Sequence, residues 1–251
     1  MASMLGIIGG TALNRIADLA VLRREIVATP YGEPSAALTF GRLGGAEVVF
    51  LARHGDGHTI APHRINYRAN IWALQTQGVR DVVAVATVGG IRDDLTAGTL
   101  LVPEQIIDYT HGREATFFDG LAQPLEHVDF TKPFCESLRQ RLLGAAVAAG
   151  DSVHDGGVYG ATQGPRLETA AEIGRMARDG ADVVGMTGMP EAALARESRL
   201  CYAMLAVVVN AAAGRGANTS GVAIAEITAV AAAAMTRVGR ILAAAARQHG
   251  D

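Results

Sequence analysis

The chain has 251 residues, 49% hydrophobic, 19% charged and 5% aromatic, with a formal net charge of −3. That length can bury a large core without staples. The mild acidity argues against a basic stripe for nucleic acid, and the few aromatics argue against a stacking platform for single strands.

Short apolar runs bounded by glycine alternate with longer helical patterns. The spacing predicts strands at 5–8, 47–52, 81–88, 181–186 and 202–209. The run DVVAVATV at 81–88 is nearly continuous in apolar residues, as in a strand covered on both faces. Helical patterns fall at 65–77, 133–149, 169–178, 190–199 and 222–247. This alternation implies an α/β protein, and the lack of a linker or repeat suggests one domain spanning 1–251. The stretch 222–247 is apolar but rich in alanine and interrupted by Glu226, Arg237 and Arg240, so no membrane partner is expected. Cys135 and Cys201 are too few for a disulfide framework or a zinc site, and a reduced, cytoplasmic setting is the expectation. The segment 111–129 has little periodicity, and aperiodic loops of that length are more often functional than idle.

Polar clusters recur where the predicted strands end. Gly9-Gly10-Thr11 follows the first and reads either as a tight turn or as a loop whose amides approach an anion. Arg53-His54-Gly55 follows the second, where Arg53 offers a planar fork to an oxyanion. His54, His58 and His63 lack metal-ligand spacing, so no metal is expected. Thr87-Val88-Gly89-Gly90, Gly185-Met186-Thr187 and Val209-Asn210 close the later strands, and Leu167-Glu168 opens a helix. Ligands of α/β sheets collect at such carboxyl ends. Taken singly, Asn210 reads as a cap and Glu168 as a solvated helix-start residue. Taken together, the clusters suggest a pocket for an anion and a polar ring.

Several of these runs also occur together in one family. RHGDGHTIAPH at 53–63, INYRANI at 65–71, Gly164-Pro165-Arg166, GADV at 180–183, and Met186-Thr187 with Pro190-Glu191 resemble the methylthioadenosine phosphorylases. These belong to the trimeric branch of the purine nucleoside phosphorylases. The match runs in order from Gly6 to about Asn210. It implies one domain with a mixed central sheet flanked by helices, assembled as a homotrimer. It also implies reversible phosphorolysis, in which inorganic phosphate, a co-substrate, displaces the purine from C1′ without metal or cofactor. By resemblance, Thr11, Arg53, His54, the backbone near Ala86, and Thr187 form the phosphate site. Met186 lies beneath the ribose, Leu167 and Glu168 line the base, and Asn210 meets the purine N7. The loop around 111–118 is expected to reach toward a neighbour's pocket.

The chain departs from that pattern at the base. The family's paired aspartates are replaced by Asn210 and Ala212. A 6-amino purine donates at N6 and suits a carboxylate acceptor. A 6-oxo purine accepts at O6 and donates at N1–H, which suits an amide paired with a carboxylate such as Glu168. No histidine lies between Asn210 and Arg247 to meet a 5′-hydroxyl, while Val222, Ile224 and Ile227 can form an apolar wall. The expected reaction is therefore phosphorolysis of S-methyl-5′-thioinosine to hypoxanthine and 5-methylthioribose 1-phosphate in purine salvage. Methylthioadenosine and inosine or guanosine are the alternative substrates.

Overall fold

Five valines between 79 and 88 leave no polar face on the central strand, β5 (Val79–Gly90), and both its faces are buried. The computed structural model describes residues 4–10, 13, 16, 18–120, 124–216, 218, 221 and 223–250, apart from the side chains of 224 and 250. Around β5 it places β1 (Met4–Gly9), β2 (Ala20–Glu25), β3 (Leu38–Leu43), β4 (Ala46–Ala52), β6 (Leu100–Val102) and β7 (Gln105–Asp108). The remaining strands are β8 (His154–Asp155), β9 (Val158–Ala161), β10 (Val183–Gly185) and β11 (Cys201–Ala211). Helices are α1 (Tyr67–Thr76), α2 (Glu136–Ala148), α3 (Ala170–Asp179), α4 (Gly188–Glu197) and α5 (Ile224–Gly250). The sheet is mixed, in the order β2-β3-β4-β1-β5-β10-β9-β7, with β11 also pairing β5 and carrying β6 and β8.

All five strands and five helices expected from the sequence are present. The other six strands lack the expected signal: β2 is exposed at every position, and β8 has two residues. The helices cover the sheet in layers. α1 and α4 pack on one apolar cluster, α2 and α5 on another, and α3 on a small third one through Ile173 and Met176. α5 is long and apolar enough to cross a membrane, with a mean hydropathy of 1.4. Its inner face is spent on the core, however: Ala231, Val238, Ile241 and Leu242 are fully buried. Its Arg237 holds Asp151 at 2.6 Å.

The register of β5 positions the site. On one edge it pairs with β11 from Asp81 to Gly90. On the other, β1 runs alongside only as far as Ala84, and β10 takes over at Gly89. Residues 85–88 therefore face a gap between two strand ends. On the β11 side, the register shifts between Val208 and Asn210. Such a bulge re-aims the side chains beside it, and here it lies next to the gap.

Cys135 and Cys201 do not stay reduced: they form a disulfide, with Cα atoms 5.2 Å apart. The chain returns from α4 to place the first residue of β11 beside the N-cap of α2, within bridging range. A separation of 66 residues hides this proximity from sequence patterns. The bridge removes the ground on which free thiols implied a reducing compartment.

Candidate active site

A cavity of about 150 Å³ occupies the gap beside β5. Arg53, His54, Ala86 and Thr187 line it, as the sequence suggests. So do Leu167, Glu168, Met186, Asn210 and Ile227. Thr11 lies outside the described residues, and so does the side chain of Ile224, which begins α5. A second cavity, of about 630 Å³, meets the first at Glu168.

Arg53 follows β4, and its backbone N–H bonds to the Gly9 carbonyl across the β1–β4 pair. Its side chain is fully buried, and it is not the free fork expected from the sequence. Nε and Nη2 donate to the two carboxylate oxygens of Glu191 at 2.7 and 2.8 Å, and Nη1 donates to the Val85 carbonyl at 2.8 Å. Val85 is the first β5 residue beyond the reach of β1, so the guanidinium caps the sheet edge where the ladder stops. Glu191, also fully buried, accepts a third bond from Tyr202 Oη at 2.8 Å. Burial works against the charged guanidinium, but the adjoining Glu191 carboxylate outweighs it and holds Arg53 above the ordinary arginine pKa. Burial, then Glu191, pushes the Tyr202 hydroxyl well up. The cavity thus meets a neutralised ion pair whose outer N–H groups remain the donors on offer. Gly10 is required here: a β-carbon would lie 2.7 Å from the Val85 oxygen and 2.9 Å from Arg53 Nη1.

His54 is 7% exposed, and its Nδ1 lies 2.8 Å from the Ile60 carbonyl. A carbonyl only accepts, so Nδ1 carries the proton. Burial, followed by the charge of Arg53, lowers its pKa to about 4. The ring is therefore neutral near pH 7, and Nε2 is an acceptor. Thr187 precedes α4, and its N–H donates to the buried Tyr159 hydroxyl at 3.2 Å.

The other side of the cavity is held by short-range contacts. Glu168 Oε1 accepts from Thr162 Oγ1 at 2.7 Å. Thr169, the next residue, caps α3 through a reciprocal box with Glu172, which fixes where Glu168 leaves the helix start. Leu167 is 40% exposed. Asn210 follows the bulge in β11, and its amide donates to the neighbouring Ala211 carbonyl at 2.5 Å. That leaves one amide N–H and Oδ1 for a ligand. Ala212 is buried at the cavity wall, in place of a second carboxylate.

Sequence reasoning missed three residues that support this arrangement. Glu191 and Tyr202 sit under Arg53, and Arg113 bonds across the turns behind Met186 and Thr162. Glu191 is flagged only by its place in the Met186–Glu191 motif; nothing local marks Arg113. The loop carrying Arg113 is the one expected to reach toward a neighbour. Phe117 is 6% exposed and packs in its own chain's core, 5.0 Å from the Tyr31 ring and 6.4 Å from that of Trp72. Its N–H and Thr116 Oγ1 are both held by Glu197. Phe117 is thus a residue of its own core, while His111, Glu114 and Ala115 of the same loop are exposed.

Among the described residues, no cluster of histidine, cysteine or carboxylate side chains could hold a metal ion. The phosphorylase superfamily model matches residues 4–247. A probable S-methyl-5′-thioinosine phosphorylase of Pseudomonas syringae pv. tomato is 51% identical over 225 residues, covering 90% of this chain and 91% of that protein. A 6-oxopurine nucleoside phosphorylase of Pyrococcus furiosus is 51% identical over 197 residues, 76% of this chain and 74% of the relative. Among solved structures, the methylthioadenosine phosphorylase of Schistosoma mansoni in complex with adenine superposes with a TM-score of 0.92. It is 32% identical, and the match covers 98% of this chain and 91% of that one. With an oxyanion-sized gap at the sheet edge and relatives of this kind along nearly its whole length, the chain belongs to the phosphorylase superfamily, as an enzyme of its nucleoside phosphorylase branch.

Proposed function

We propose that the protein catalyses phosphorolysis of S-methyl-5′-thioinosine, giving hypoxanthine and 5-methylthioribose 1-phosphate for purine salvage. The observation that carries this reading is the placing of Asn210 and Glu168, an amide and a carboxylate, on one cavity that Ala212 and the apolar Ile227 also line. Inorganic phosphate is the co-substrate, and no cofactor is assigned. A phosphate oxygen attacks C1′ as the C1′–N9 bond breaks, and the bonding electron pair leaves with the purine. The sugar gains oxocarbenium character, and negative charge develops on the base.

Each end of the cavity has its part in this reaction. The outer N–H groups of Arg53, with Thr187 and by resemblance Thr11, orient the phosphate. Neutral His54 accepts a hydrogen bond from a protonated phosphate oxygen without adding charge. Asn210 donates to N7 or O6 as these atoms become more basic, which lowers the barrier selectively. Glu168 accepts from N1–H and fixes the ring. Adenine lacks that donor, and its N1 lone pair would face the carboxylate. Met186 and Ile227 give the methylthio end an apolar surround, worth about 1–3 kcal/mol of discrimination per methylene-sized difference. The assembly proposed is a homotrimer. The setting proposed is the cytoplasm, where nucleosides and inorganic phosphate meet; the Cys135–Cys201 bridge lends this no support.

A phosphate-dependent base-release assay on methylthioinosine, methylthioadenosine, inosine and adenosine tests the reading. The expected order places methylthioinosine first in kcat/KM. Equal efficiency on methylthioadenosine would refute the role given to Asn210 and Glu168, and faster cleavage of inosine would refute the apolar 5′ pocket.

A further inference from the structure

Arg113 lies in the aperiodic loop 111–129, outside the cavity lining, yet its guanidinium meets six acceptors. Nη1 donates to the carbonyls of Met186 at 2.9 Å and Met189 at 2.5 Å, and to Tyr67 Oη at 3.2 Å. Nη2 donates to the carbonyls of Thr162 at 3.1 Å and Gln163 at 2.9 Å, and Nε to Gln163 Oε1 at 3.2 Å. Tyr67 spends its own proton on the Pro62 carbonyl, at 3.0 Å, so toward Arg113 its oxygen can only accept. A guanidinium has five N–H groups in a rigid fork, and every one is engaged here.

These bonds tie together the end of β9, the turn between β10 and α4, and the start of α1, and reinforce the β9–β10 pairing that already joins the first two. Each reaches the cavity. Thr162 holds Glu168, Met186 lines the cavity, and Tyr67 fixes Pro62, which lines it too. The phosphate side has further supports that Arg113 does not touch: Glu191 under Arg53, and Tyr159 under Thr187, which follows Met186 on the same turn. The loop itself is pinned by Glu197 through Thr116 and Phe117.

We infer that Arg113 is a positioning residue for the nucleoside: it sets the spacing between the Met186 surface and the Glu168 carboxylate, and leaves the phosphate site to other groups. Lysine cannot replace it, because an ammonium offers three donors from one point and cannot span two turns. The inference rests on the function proposed above for this cavity.

The test is steady-state kinetics of Arg113→Lys with methylthioinosine and phosphate varied independently. The nucleoside KM should rise about tenfold or more, because small misplacements of a bound substrate are costly. The phosphate KM should stay within about twofold, and the preference for 6-oxo over 6-amino nucleosides should shrink. A merely structural role would lower the melting temperature and the active fraction while leaving both KM values unchanged. That result, or a parallel rise in both, overturns the inference. If the lysine variant does not fold, Glu197→Ala loosens the same loop from outside the cavity. It should give the same split at about threefold, and absence of the split again overturns the inference. Failure of the functional reading is visible separately, in the parent protein: the parent would not cleave methylthioinosine, and the split would then be read on the nucleoside it does cleave.

Discussion

Arg53 and Glu168 are charged side chains on one cavity, and they are held in opposite ways. Arg53 is fully buried and tied to a carboxylate 138 residues away, which is itself tied to Tyr202. Glu168 is half-buried and held by a hydroxyl six residues away, while Asn210 bonds to the residue beside it. The charged side chain on one side takes long-range, desolvated partners directly; on the other the direct partners are local and replaceable, and long-range bracing comes from Arg113 behind them. In the proposed reaction phosphate is the constant partner, and a site for it at Arg53 would be fixed in the core, where preorganised dipoles act most strongly. The base would be the variable partner, and Glu168 and Asn210, its proposed readers, sit where a single substitution changes the hydrogen-bond pattern without disturbing the fold.

The contrast is broken most severely at Glu191. Glu191→Ala leaves the Arg53 charge buried and uncompensated, and chemical denaturation should show a loss of about 3–5 kcal/mol. A loss under 1 kcal/mol would mean that the pair does not brace this side of the cavity. Next in size, Arg53→Ala should cost about 2–4 kcal/mol in kcat/KM for phosphate, through loss of charge-assisted bonds. Because it also strands Glu191, stability should fall with it. An unchanged phosphate KM would remove Arg53 from the site.

His54 sharpens the contrast through pH. Its folded pKa, about 4, lies below the ordinary value of 6.5, so between those values the unfolded chain binds the extra proton. Stability therefore rises with pH across that window: the His54 contribution is complete above about pH 6.5 and is lost as pH falls toward 4. The expected size is about 3 kcal/mol. Urea midpoints measured from pH 4 to 7 should show this slope, and His54→Asn should flatten it; an equal slope in the variant would contradict the neutral, buried ring. Smallest in free energy is Asn210→Asp, which should lower the methylthioinosine to methylthioadenosine ratio by about ten- to hundredfold in kcat/KM. Its denaturation midpoint should hardly move, as expected of a change outside the core. A large loss of stability there would mean that the two sides are built alike.

The same division explains what the sequence reveals. Strands buried on both faces, such as β5 and β11, announce themselves by unbroken apolar runs, and the polar residues at their ends mark the cavity. β2 has no buried face, and β6 and β8 have three and two residues, too few for any period to show. Arg53, His54, Thr187 and Glu168 are legible because each follows a strand or precedes a helix, and Asn210 because it stands at the end of an apolar run. Glu191, Tyr202 and Arg113 are not, because their roles exist only after distant segments meet. The partners of Phe117 are hidden for the same reason: Tyr31 and Trp72 meet it only once the chain has folded.

The interrupted ladder along β5 has a consequence for the empty enzyme. Where β1 stops and β10 has not begun, residues 85–88 have no strand neighbour on one edge among the described residues, and the Val85 carbonyl is taken over by Arg53. An oxyanion seated there acts as a surrogate strand, supplying acceptors that a polypeptide would otherwise provide. Occupancy should then consolidate the sheet as well as fill a pocket. Backbone amides on both sides of the gap, in β1 and β10, should exchange with deuterium more slowly in saturating phosphate, with protection growing as the logarithm of the phosphate concentration above its dissociation constant.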